Sequence, residues 1–145
     1  MILCKVRSNK HEDQWRKLFH GPREELGYKI AHHDIESLKE AIKEGYDLNY
    51  RDGKGDTYLH IAVMNYDLAI TKLLVETGVE INCRNKYENT PLISAVSRKD
   101  PRMYEIAKYL ITQGADLDLK AGKYTARELI HMFEKEELME FIKEK

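Results

Sequence analysis

Cysteine, proline and tryptophan are scarce in this 145-residue chain, which has two, three and one of them respectively. Cys4 and Cys83 lie far apart and fit no metal-ligand spacing, and the opening MILCKVRSNK has no apolar run of the kind a signal peptide carries. The expectation is a reduced, intracellular chain in the cytoplasm, since a secreted form with one disulfide would need export machinery that leaves no mark here. No stretch approaches the ~20 apolar residues of a membrane span. Charge of one sign is missing too: 24 basic residues meet 25 acidic ones, for a formal net charge of −1. That balance excludes a general attraction to nucleic acid or to an anionic membrane.

Catalytic signatures are equally absent. The chain has no G-x-S-x-G, no glycine-rich phosphate loop closing on Lys-Ser or Lys-Thr, and no H-x-x-x-H. Among the six histidines, His11, His20 and His131 have no companion at ligand spacing. His32, His33 and Asp34 are consecutive, so they do not converge on one ion and are expected in a turn between helices. No catalytic residue, metal or cofactor is expected. What is present is 42% hydrophobic and 34% charged residues, the mixture of a well-packed helical protein with a solvated outer face. A single domain of this length needs no staple.

One stretch organises the rest. In DGKGDTYLHIA, from Asp52 to Ala62, a turn-forming run ends at Thr57, whose hydroxyl can cap a helix whose apolar side is Leu59, Ile61 and Ala62. The stretch recurs as RNKYENTPLISA and, weakened, as AGKYTARELI, so the capping threonines fall at Thr57, Thr90 and Thr125, spaced 33 and 35. Glycines that end the second helix of each unit, Gly45, Gly78 and Gly114, are spaced 33 and 36. The span from Thr90 to Gly114 is three residues longer than that from Thr57 to Gly78, which places an insertion at residues 99–102, and the third hairpin is one residue short.

Motif, period and phase together resemble the ankyrin repeat: a hairpin tip followed by a T-P-L-H-x-A-like segment at a period of 33. Residues 24–145 carry the resemblance. It departs at Tyr58, which replaces the motif proline, at Ile93, which replaces the motif histidine, and at Tyr66, which stands where a glycine between helices is usual. The resemblance implies an all-α solenoid of helix-turn-helix units joined by β-hairpin loops, with units at about 24–56, 57–89, 90–124 and 125–145. It also implies that the His60 imidazole bonds the backbone of the turns. Leu59, Ala62, Leu74, Leu92, Ala95 and Leu110 are expected in one continuous core. In the last unit Leu129, Met132, Phe133, Leu138, Phe141 and Ile142 take the apolar positions of a polar-faced cap.

Residues 1–23 form an extension with Lys5, Arg7, Lys10, Arg16, Lys17 and Arg23 against Glu12 and Asp13. Trp15, Leu18 and Phe19 share a helical face there, as a cap on the first repeat or as a basic docking arm. Superposing the hairpins puts Arg51, Arg84 and Lys120 in equivalent places, Lys54, Lys86 and Lys123 near the tips, and Tyr50, Tyr87 and Tyr124 among them. This ladder, with the first-helix face around Met64, Asn65, Ser97 and Arg98, is the expected contact surface for a protein partner with an acidic surface. The expectation is a non-enzymatic binding module, an inhibitor or immunity-type protein that blocks or sequesters its partner. An assembly subunit or a nucleic-acid binder using the basic extension is the alternative.

Overall fold

The computed structural model describes residues 22–143. The cap or docking arm proposed around Trp15, and Cys4, lie outside them. Among the described residues the chain forms eight helices and no strand: α1 (Pro22–Ala31), α2 (Ile35–Lys43), α3 (Tyr58–Met64), α4 (Leu68–Glu76), α5 (Pro91–Val96), α6 (Arg102–Thr112), α7 (Ala126–Met132) and α8 (Glu136–Ile142). Each odd-numbered helix packs on the next odd one and on the even helix that follows it, giving an inner row and an outer row. The chain is an all-α solenoid.

Helix starts are set by single side chains. Thr57, Thr90 and Thr125 hold extended backbone, and their hydroxyls accept from the amides of His60, Ile93 and Glu128. Glu128 returns the favour at the last cap, its carboxylate accepting from the Thr125 amide at 2.8 Å. The first two outer helices use aspartate instead: Asp34 caps α2 and Asp67 caps α4, through the amides of Ser37 and Ile70, whereas α6 and α8 begin at Pro101 and Lys135 with no side-chain cap. Gly45, Gly78 and Gly114 adopt positive φ of 76, 88 and 101° just past the outer helices, the conformation that terminates a helix at least cost for glycine.

His32 and His33 lie in the turn before α2, as expected, and His33 adopts φ 63°. Its Nδ1 donates to the Asp67 carboxylate of the next turn at 2.8 Å. The insertion is distributed rather than confined to a loop. The connection at residues 97–101 is longer than that at residues 65–67, and α6 has 11 residues where α4 has 9. Asp100 absorbs the change by accepting from the Arg102 amide at 2.9 Å.

The core runs unbroken from Leu26 to Ile142 and contains Leu59, Ala62, Leu74, Leu92, Ala95 and Leu110, all nearly or fully buried. Ala62 and Ala95 keep the inner row close, while Leu74, Met103, Ile106 and Leu110 fill the space between rows. Two positions of the last unit correct the sequence reading. Met132 and Phe133 are 53% and 43% exposed. Ile130 already faces inward, so Met132, two residues on, points away, and Phe133 is the C-cap residue where the chain leaves the helix.

Leu74→Ala removes a side chain with no solvent exposure and is expected to cost about 2 to 5 kcal/mol. Calorimetry should show a fall in Tm of more than about 5 °C; a shift of a degree or less would contradict the placement of Leu74 in the common core.

Candidate functional site

Successive hairpins are built alike by side-chain turns. Asp52 accepts from the amides of Lys54 and Asp56, and Asn85, 33 residues on, accepts from those of Tyr87 and Asn89, all between 2.8 and 3.0 Å. Backbone bonds Asp52 to Asp56, Asn85 to Asn89 and Ala121 to Tyr124 close the three tips, the last one residue tighter. Ala121 has no side-chain acceptor, so the third tip turns at Gly122 instead, with φ 61°.

The hairpins are also bonded to one another. The Lys86 amide donates to the Lys54 carbonyl at 3.0 Å, and Asn85 Nδ2 donates to Asp56 Oδ1 at 2.8 Å. A Cβ on Gly55 would stand 2.9 Å from the Lys86 nitrogen, so this close approach requires glycine. Asn49 and Asn82 accept from the Glu80 and Asp116 amides of the following repeats. The Arg51 guanidinium donates to the carbonyls of Gly55 and Arg84, and Arg84 Nη2 donates to the Lys120 carbonyl at 2.6 Å. These arginines therefore help to hold the stack.

His60 is the hub beneath this ladder. Its Nδ1 accepts from the Thr57 amide at 3.2 Å and its Nε2–H donates to the Asn89 carbonyl of the next hairpin at 2.8 Å. An amide proton on one side and a carbonyl on the other specify the neutral Nε2–H tautomer. Burial holds the imidazole below its ordinary value. Cys83 Sγ lies 4.0 Å from Nδ1, which raises the question of a thiol–imidazole pair. Nδ1 already has a donor, Sγ donates to the Glu80 carbonyl at 3.3 Å, and burial pushes the thiol up rather than towards thiolate. The pair is structural.

Of the predicted contact residues, Arg51, Lys54, Arg84, Lys86, Lys120 and Lys123 are exposed along one edge, Tyr87 is 67% exposed, and Tyr124 is half-buried beneath Lys123. Of the hairpin acids, Asp56 is buried and Asp52 is engaged in its turn, while Glu88 is exposed beside Tyr87. Six exposed cations therefore face one exposed carboxylate along this edge. Met64 and Asn65 sit at the end of α3, where Asn65 Nδ2 is occupied by the Ile61 carbonyl at 2.8 Å. Arg98 lies apart, past the end of α5, donating to the Tyr66 hydroxyl at 3.0 Å.

A groove of about 490 Å³ that joins Lys54 and Met64 was not foreseen. It runs between α1 and α3 under the first hairpin, with Tyr28, Tyr50, Tyr58, Ile61 and Met64 as its apolar lining and Arg23, Glu24 and Lys54 at its rim. The Tyr58 hydroxyl donates to the Arg23 carbonyl at 2.7 Å, and burial drives its ionisation far above the usual range. Gly27 lets α1 approach, since a Cβ there would meet Ile61 Cδ1 at 3.3 Å. That glycine, inside a helical pattern, was the signal in the sequence.

The family described as Ankyrin repeats (3 copies) matches residues 26–121. Relatives include serine/threonine-protein kinase 12 of Arabidopsis thaliana, 32% identical over 90 residues, which cover 62% of this chain and 19% of the kinase. Alpha-latrotoxin-Lg1a of Latrodectus geometricus is 34% identical over 97 residues, 67% of this chain and 6% of the toxin. BRCA1-associated RING domain protein 1 of Caenorhabditis elegans is 36% identical over 98 residues, 65% of this chain and 13% of that protein. The chain spans less than a fifth of the length of each.

The hub has a pH signature. The folded value of His60 lies below the unfolded value of about 6.5, so the unfolded chain takes up a proton that the folded chain refuses. The stabilisation is fully present above that value and is lost as pH falls below it. Nitrogen-15 spectra should show His60 mostly as the neutral Nε2–H tautomer at pH ~6.5, where an unperturbed histidine is half-protonated; a half-populated or larger imidazolium signal there would contradict the assignment. Arg84→Glu should cost about 0.5 to 1.5 kcal/mol in denaturant unfolding, the value of a lost hydrogen bond, whereas Tyr87→Ala should stay within about 0.5.

Proposed function

Since the chain belongs to the ankyrin-repeat family, generally a module for protein–protein interaction, we propose that it is a non-enzymatic binding module of the inhibitor or sequestering type, which captures a protein with an acidic surface and blocks it. The observation that carries this reading is the ladder: the second hairpin is fixed to the first repeat by backbone, guanidinium and imidazole bonds, and the third hairpin to the second by the Arg84 guanidinium and the Asn82 side chain. A surface ordered before the encounter loses little entropy on binding, which favours tight, rigid recognition. Lys54, Lys86 and Lys123 steer an acidic partner towards the edge, Tyr87 supplies an exposed aromatic anchor, and the groove beside Lys54 and Met64 admits an apolar side chain. A reducing compartment such as the cytoplasm suits Cys83, a buried free thiol.

Affinity capture with the intact chain, followed by mass spectrometry, identifies the partner. In calorimetry with that partner, Tyr87→Ala and Lys86→Glu should each weaken binding by about tenfold or more, and raising the salt should diminish the Lys86 effect. Unchanged affinity in both variants would remove the hairpin edge from the interface.

A further inference from the structure

The groove between α1 and α3 offers an occupant mainly rings and methyl groups. The tyrosine hydroxyls and hairpin carboxylates that line it are already engaged: Tyr58 donates to the Arg23 carbonyl, Tyr50 donates to Glu24 at 3.3 Å, Asp52 accepts from the amides of its own turn, and Asp56 accepts from Asn85. Among the described residues no buried side-chain polar atom lacks a hydrogen bond. Tyr28, Tyr50, Ile61 and Met64 are half-buried along the groove. Such a lining selects an apolar or aromatic side chain over a polar ligand.

The groove follows α1 along its length. Arg23, Gly27 and Ala31, spaced by four, all line it, so it extends over about 12 Å of the helix. The chain itself arrives at one end of it. Residues 1–21 precede α1, and among them Trp15, Leu18 and Phe19 fall at i, i+3 and i+4, the spacing of one helical face. Arg16 and Lys17, at i+1 and i+2 from Trp15, belong to other faces. Only His20 and Gly21 separate Phe19 from Pro22, the first residue of α1. Three peptide steps reach no more than about 11 Å, so Phe19 is confined to the neighbourhood of the groove.

We propose that the segment carrying Trp15, Leu18 and Phe19 docks in this groove, the chain reversing at Gly21 and running back along α1, so that the protein covers its own binding groove. Connectivity singles out this occupant. A side chain tethered by a few residues meets its site at an effective concentration on the order of millimolar, far above that of a free protein. The aromatic lining suits it as well, since Trp15 and Phe19 bring rings to a groove walled by Tyr28, Tyr50 and Tyr58. A partner whose apolar side chain enters the groove must first displace the segment. That consequence rests on the function proposed above, whereas the docking is a property of the chain alone.

Trp15 is the only tryptophan of the chain, so its indole signals identify themselves. Nuclear Overhauser spectra of the full chain without any partner should connect the Trp15 indole protons to the methyls of Ile61 and Met64. Trp15→Ala should shift the amides of Gly27, Tyr28, Ile61 and Met64 and leave those of α6 in place. Indole contacts to Ile35 or Ile42 of α2 instead, which mark a cap on the flank of the first repeat, would overturn the proposal. So would an indole with no contact beyond its own segment, or groove amides that do not move in Trp15→Ala. No partner enters the test, so the docking can fail while the proposed function stands, and the hairpin edge can lose its partner while the docking stands.

Discussion

A buried neutral imidazole with both nitrogens engaged ties this structure together. His60 accepts from the amide that begins its own helix and donates to the carbonyl that closes the next hairpin. One side chain therefore fixes a helix start, a hairpin and the step between repeats. Removing it would leave the Thr57 amide and the Asn89 carbonyl poorly satisfied, and orphaned buried polar groups cost more than the bond itself is worth. Charging it would add a proton at the nitrogen that must accept. The next unit has Ile93 at that place, and there the step to the following repeat is carried instead by Arg84 on the Lys120 carbonyl and by Asn82 on the Asp116 amide.

What the hub holds is a surface. Side chains at the tips could be mobile on a lone hairpin, but here the turns are set by Asp52 and Asn85, and the tips are bonded across to one another. Asp52 and Asp56 are engaged in this work while the lysines face outward. Local structure thus decides electrostatics: a chain with a formal charge of −1 presents a positive edge because two of its three hairpin carboxylates, Asp52 and Asp56, are engaged in building the hairpins.

The parts legible in the sequence were those encoded locally. Threonine caps, helix-ending glycines and the short third hairpin depend on a few neighbouring residues, so spacing alone located them. The groove depends on how closely α1 approaches α3, which Gly27 hints at but packing determines. Arg51 and Arg84 could be placed at equivalent positions, yet whether a guanidinium reaches solvent or the next carbonyl depends on the distance between hairpins. Met132 and Phe133 were misplaced because apolar periodicity is ambiguous in a seven-residue helix, where the C-cap residue can continue the pattern in sequence while leaving it in space. Tyr66 was noticed as a departure at a glycine position; its bond to Arg98 of the next repeat could not be seen without the fold.

The central claim is that the contact surface exists before any partner arrives. Native-state hydrogen exchange on the chain alone tests it most directly. The hairpin amides of Asp52, Asn85 and Lys86 are predicted to open with nearly the same free energy as the core amides of Ile70 and Leu92, because the ladder joins tips and helices into one cooperative unit. Fast exchange at the three hairpin amides while the helical amides stay protected would contradict the account.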